Sequence, residues 1–185
     1  PATGRMHFFG YDFTPPYLTY MVANPDGTLD TIVPIELARS HMIHDFAITE
    51  RHAIFWVLPV MFSLDAMSSG MPFAWDDAVP AQVGVIPLDG TADQMKWFDV
   101  DPCMIFHGAN AYEDDGVITV DVCWLSAAFD GRDLSQTSKN ELRRWSIDLN
   151  GDKVSEDVRS QTLQDFPQID RRFAGRRHRY TWLTR

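Results

Sequence analysis

Histidines are the residues of this chain best suited to hold a metal, because a neutral imidazole offers one ring nitrogen as a ligand while a hydrogen bond fixes the other. There are six: His7, His41, His44, His52, His107 and His178. His44 opens "HDFAIT" and His107 lies in "FHGANAYED", so each sits where an apolar run meets an acidic or small residue. From a strand end, either could point into a cavity. His41 lies three positions before His44 in "SHMIHDFAITE". In a strand, residues three apart face opposite sides, whereas on a helix they would share a face. The aromatic and β-branched neighbours favour the strand. The two cannot then serve one metal without a bulge between them, and at most one is a ligand. Taken singly, any of the six is more often a hydrogen-bonded structural residue than a ligand.

Other chemistries leave fainter marks. The sequence holds no HExxH, no paired CxxC, no Gly-rich phosphate loop and no GxSxG, which argues against the commonest zinc hydrolases, nucleotide enzymes and serine hydrolases. Acidic groups at Asp76/Asp77, Asp99/Asp101 and Glu113/Asp114/Asp115 invite a general acid–base reading, but their placement reads better as solvated turns. The closing run "RRFAGRRHRYTW" mixes arginine with aromatics as single-strand binders do. In an acidic chain it reads better as an exposed strand and loop with local ion pairs.

The elements that must position these residues are mainly strands. "RMHFFGYDF" and "YLTYMVAN" flank "TPP", and "NPDG" at 24–27 gives a type I turn before "TLDTIVPIEL". The same grammar recurs around "ERH", "DDG" and "NGD", predicting hairpins built from "HDFAIT" and "AIFWVLPVMF", "FHGANAYE" and "VITVDVCWLS", and "RRWSIDL" and "KVSEDVRS". Residues 64–97 read as long loops flanking one strand, "AQVGVIPL", and long loops are where substrate channels are usually built. "LSQTSKNELRR" at 134–144 reads equally as a short helix or a loop. The fold class is all-β, a sandwich, barrel or propeller, with no strict repeat to choose among them.

The chain of 185 residues is 45% hydrophobic, enough to bury a core, and its 16 basic against 26 acidic residues give −10. That field repels phosphate backbones and anionic lipid surfaces, so no nucleic acid partner is expected. The longest apolar-rich run, "AIFWVLPVMF", is interrupted by Pro59, and no transmembrane span is expected. Cys103 and Cys123 lie inside apolar runs and read as small buried hydrophobes in a reducing, cytoplasmic setting. A start at Pro1 without a signal-like segment, and an end in a basic aromatic run, predict an internal piece of a longer protein.

Four stretches in order, "TGRMHFFGYDFTPPYLTYMV", "HMIHDFAITE", "WFDVDPCMIFHGANAYEDDGVITVDVC" and "DFPQIDRRFAGRRHRYTW", resemble the carotenoid cleavage oxygenases, including their bacterial apocarotenoid- and lignostilbene-cleaving branch. The resemblance covers nearly the whole chain. It implies a seven-bladed β-propeller with one non-haem iron(II), Fe(II), held on the axis by four histidines. It also implies insertion of dioxygen across a conjugated carbon–carbon double bond to give two carbonyl products. Matched motif to motif, it assigns His44 and His107 to iron and leaves His41 off the metal. Asp165, before "FP", falls on a carboxylate that holds a ligand histidine. A Glu is more usual there, and the shorter Asp would reach His107 directly or through a bridging water.

The remaining two ligands of the family would lie before Pro1 and beyond Arg185. The resemblance therefore implies that residues 1–185 are a partial propeller domain of roughly three blades, weak in iron binding, prone to aggregation through open sheet edges and inactive alone. The implied partners are dioxygen and a small apolar conjugated substrate, with peripheral membrane contact to extract it. Phe106, Trp124, Phe129 and the loop "MSSGMPFAW" are candidate channel walls. The alternatives are a non-catalytic propeller that binds an apolar ligand, and an isomerase on the same scaffold.

Overall fold

The computed structural model describes residues 3–68, 70–131 and 139–185. The aromatic and β-branched runs become strands, and the Pro-, Gly- and Asp-rich breaks become turns. β1 (Met6–Tyr11), β2 (Tyr17–Ala23) and β3 (Leu29–Glu36) form an antiparallel meander. Its "NPDG" turn is closed by the Gly27 N–H donating to the Asn24 carbonyl at 2.9 Å.

A second antiparallel sheet is made of β4 (Phe46–Ile48), β5 (His52–Val57), β8 (Ala81–Pro87) and β9 (Lys96–Val100), in that order across the sheet. Between β5 and β8 the chain makes a side hairpin of β6 (Val60–Phe62) and β7 (Phe73–Trp75), joined through a one-turn helix at Leu64–Met67. The third sheet is the meander β10 (Met104–Asp114), β11 (Val117–Leu125), β12 (Asn140–Asp148) and β13 (Val154–Ser160). The β10–β11 loop is the two residues Asp115 and Gly116, both at positive φ (48° and 78°), the backbone that a tight hairpin with right-handed twist requires. A last pair, β14 (Asp165–Gln168) and β15 (Trp182–Thr184), follows.

Strand alternation explains how the sheets stack. β5 is buried on both faces, so its residues sort by parity: Ala53, Phe55 and Val57 pack with Leu18, Tyr20 and Val33 of the first sheet. Ile54 and Trp56 pack with Val120, Val122 and Trp145 of the third. Two apolar layers thus hold three sheets face to face, with the second in the middle. At the edges of these sheets β4, β10 and β14 run beside one another.

Three sequence expectations change. Residues 40–45 are not a strand: His41 makes an isolated bridge to Met61, residues 42–45 are irregular, and β4 begins only at Phe46. The alternation argument for His41 and His44 therefore does not apply, although the two do separate, His41 toward the Leu58 carbonyl and His44 toward the Phe106 carbonyl. In the 134–144 segment, residues 134–138 lie outside the described residues, and the rest enters β12 because Leu142 and Trp145 have apolar neighbours to bury against. The 64–97 stretch carries, besides β8, the short helix, β7 and the start of β9, since Phe73, Trp75 and Trp97 have cores to join. No described helix is long and apolar enough to cross a membrane.

Candidate metal centre

His44 lies just before β4 and His107 lies in β10, and the neighbouring edges of the second and third sheets bring their rings to 5.1 Å between centroids at 86°. A bulge aims His107. Ile105 pairs with Trp124 and Gly108 with Val122, so Phe106 and His107 together face the single residue Cys123. Such an extra residue bends the strand and redirects its side chain.

The two rings are fixed in the same way. His44 Nδ1 is 2.9 Å from the Phe106 carbonyl oxygen, which only accepts, so Nδ1 carries the proton. His107 Nδ1 donates to Asp165 Oδ1 at 2.9 Å, so Asp165 reaches it directly without a bridging water. The shorter side chain suffices because β14 lies against β10. Phe166, at φ 52°, continues the chain while its N–H also donates to Asp165 Oδ1 at 2.8 Å. Each ring is therefore held in the tautomer that leaves an Nε2 lone pair, and neither Nε2 has a protein partner among the described residues. Nitrogen donors presented in this way fit a transition metal such as iron. Among the described residues no three His, Cys, Asp or Glu side chains form a group able to hold a metal.

Sequence reasoning missed the groups that hold this arrangement. Asp45 Oδ2 accepts the Gly108 N–H at 2.8 Å and Oδ1 accepts the Phe46 N–H at 2.9 Å. Burial raises the Asp45 pKa, and those two N–H bonds oppose the rise. Gly108 has no space for a side chain, since a Cβ would lie 2.8 Å from Trp56 Cη2. Cys123, opposite the bulge, is pushed up to about 12 by burial, by the Asp165 charge and by its hydrogen bond to Asp165. The one readable signal was the glycine next to His107 inside a strand, which marks a close approach.

The other four histidines are tied elsewhere. His41 is buried, its Nδ1 donating to the Leu58 carbonyl at 2.8 Å, and burial lowers its pKa. His7 meets the Tyr20 hydroxyl at 2.7 Å. His178 Nδ1 accepts from the Asn110 amide at 3.0 Å. His52 Nδ1 lies 2.7 Å from Glu113 Oε2, and Arg51 adds a second contact at 2.6 Å. Glu113 is thus a strand residue with a nearly buried side chain rather than a solvated turn-former. Burial works against its charge, but the bonds from His52 and Arg51 win and hold its carboxyl below the ordinary value. Asp76 bonds to Arg39, and Asp99, an exposed residue of β9 rather than of a turn, bonds to Gln82 across the ladder. In the closing basic run Arg172 pairs with Asp170 and Arg176 with Glu50.

Aromatic rings extend from the histidines. Phe106 meets the His44 ring edge to face at 5.4 Å, Phe129 meets Phe106 at 6.0 Å, and Phe73 meets Phe129 at 6.3 Å. Phe129 holds its place at φ 58°, a conformation costing roughly 1–3 kcal/mol in a non-glycine residue, secured by Trp75 N–H donating to its carbonyl at 3.0 Å. Trp124 belongs instead to the core, beneath the Arg143 guanidinium at 3.4 Å. Ser69 of the loop "MSSGMPFAW" lies outside the described residues.

The whole chain, residues 1–185, matches the family profile described as retinal pigment epithelial membrane protein. A carotenoid 9,10(9',10')-cleavage dioxygenase 1 from Arabidopsis thaliana is 36% identical over 197 residues, covering 100% of this chain and 36% of that protein. The chain belongs to the carotenoid cleavage oxygenase family. Among solved structures of such oxygenases, the lignostilbene dioxygenase of Pseudomonas brassicacearum superposes with a TM-score of 0.86 at 31% identity, over 99% of this chain and 41% of that one. Cobalt-substituted apocarotenoid oxygenase from Synechocystis gives 0.79 at 25% identity, over 90% of this chain and 37% of that one. The chain spans 36% of the length of the first two curated relatives it matches.

Proposed function

We propose that the protein containing this chain is a non-haem iron(II) dioxygenase that cleaves a conjugated carbon–carbon double bond of an apocarotenoid, carotenoid or stilbene into two carbonyl products. The observation that carries the reading is the pair His44 and His107, each with Nδ1–H donated to a fixed acceptor and Nε2 left bare. We place this chain as part of a seven-bladed propeller, its three stacked sheets standing as blades, with further histidines supplied by the rest of the protein. The names of the relatives and solved structures support the reaction class.

Iron, when bound, would supply the redox chemistry that lets dioxygen add across the double bond, both oxygen atoms ending in the two carbonyl products. This chain's own residues do the positioning. The Phe106 carbonyl and Asp165 hold protons on the two Nδ1 atoms, which fixes the tautomer and the direction of both imidazoles. Phe106, Phe129 and Phe73 give an apolar aromatic wall against which a rigid conjugated substrate lies beside the histidines. Dioxygen and an apolar substrate are the partners in this reading, with peripheral membrane contact for substrate extraction. A cytoplasmic location belongs to the same proposal, in keeping with two buried free thiols at Cys103 and Cys123.

His44→Ala and His107→Ala in the full-length protein test it. Each is expected to lose iron and oxygen-dependent cleavage, measured by metal analysis and product chromatography. Iron content and turnover equal to wild type in either variant would refute the assignment.

A further inference from the structure

We infer that Asp45 is a positioning residue for the metal centre, setting the mutual orientation of the two imidazoles through the backbone on either side of His107. The inference rests on the iron reading above. The dipeptide His44–Asp45 holds two residues of β10, the ones on either side of His107. His44 Nδ1–H donates to the carbonyl of Phe106, the residue before His107, at 2.9 Å. Asp45 Oδ2 accepts the N–H of Gly108, the residue after it, at 2.8 Å. His107 is therefore clamped from both sides by residues sixty or more positions away in sequence, and the clamp is part of the His44 segment itself.

The clamp is placed where the sheet ladder is weakest. Phe106 and His107 share one partner across the strand, and a second register shift follows between Gly108 and Asn110, so β11 alone does not define this backbone. Gly108, the most flexible residue type, stands between the two irregularities. Its missing side chain allows Trp56 to close over it, with a Cβ position 2.8 Å from Cη2 and 3.7 Å from Asp45 Oδ2. Asp45 has no ion-pair partner within salt-bridge distance among the described residues. Its oxygens are committed to two backbone N–H groups, Gly108 and Phe46. A carboxylate used in this way fixes direction, since such charge-assisted bonds are short and strong.

The test uses the full-length protein stripped of metal and titrated with Co(II), following the visible Co(II) ligand-field bands and the Kd. Asp45→Ala is expected to weaken Co(II) binding by roughly 10–100-fold and to change the band pattern, the size of effect seen when groups behind metal ligands are removed. Asp45→Asn retains one acceptor oxygen for the Gly108 N–H and should fall between Asp45→Ala and wild type. An Asp45→Ala protein that is less stable to heat yet shows wild-type Kd and bands would overturn the inference, leaving Asp45 merely structural. Should Asp45→Ala yield no soluble protein, Asp45→Asn decides: shifted bands support the inference and unchanged bands overturn it. His44→Ala and His107→Ala run alongside. If these too bind Co(II) as wild type does, the iron reading has failed rather than the role of Asp45.

Discussion

At the scale of single residues, two histidines three positions apart have opposite fates because of what each Nδ1 meets. His41 is sealed under the Leu58 carbonyl, while His44 reaches across to β10. This predicts a contrast in the full-length protein. Asp165→Ala frees the His107 ring and should weaken iron or cobalt binding by roughly 10–100-fold by titration. His41→Asn keeps a donor for the Leu58 carbonyl and should leave metal affinity unchanged. Its effect belongs on stability against pH. Burial lowers the His41 pKa, so the folded state disfavours the charged ring. The stability it contributes is complete above the ordinary histidine pKa of about 6.5 and is lost as pH falls through the lower folded value. His41→Asn should flatten that acid limb in thermal melts taken between neutral and mildly acid pH, and an unchanged limb would contradict the assignment. The meeting of His44, His107 and Asp165 was legible only through motif resemblance. Their spacing is set by strands from different sheets, which no local pattern encodes. Asp45 was not legible at all, because an acidic residue beside a histidine looks like any strand-end acid until the opposite backbone is seen.

At the scale of elements, the turns were the most legible part. "NPDG" and "DDG" close hairpins because proline and positive-φ residues stand where each turn needs them. The strands that escaped notice, β7, β9 and β14, are of three to five residues and owe their pairing to neighbours rather than to their own pattern, while the run read as one strand, "AIFWVLPVMF", breaks at Pro59 into β5 and β6. Residues 42–45 fail in the other direction. They look like a strand by composition, but the segment serves side-chain and backbone contacts to β10 in place of a ladder. Gly84 shows how tightly these sheets are built. A Cβ there would stand 2.6 Å from Trp97 Cζ3 and 3.0 Å from Met95 Sδ. Gly84→Ala should cost about 1–3 kcal/mol by chemical denaturation, the usual penalty for overfilling a packed site, without touching the metal ligands.

At the scale of the whole molecule, alternation along β5 turns three meanders into a stack, and that stack is where the all-β reading from composition meets the structure. The number of sheets in the complete protein is not written in these residues, since each hairpin is alike in grammar only. One prediction belongs here. The 185-residue segment alone, bearing two of the proposed ligands, should bind Co(II) at least tenfold (about 1.4 kcal/mol) more weakly than the full-length protein by titration, and should self-associate by size-exclusion chromatography. Equal affinity in both would mean that the remaining ligands are not needed. The grip of the His44 segment on β10 has one more consequence. It crosses the seam between the second and third sheets, so a metal held by both Nε2 atoms, as proposed above, would act as a rivet through two separately built layers. Affinity for that rivet and cohesion of the seam are then one quantity measured in two ways: a mutation deep in the apolar layer around Trp56 that loosens the stack will be felt as leakage of metal, and loss of metal will be felt as breathing between sheets.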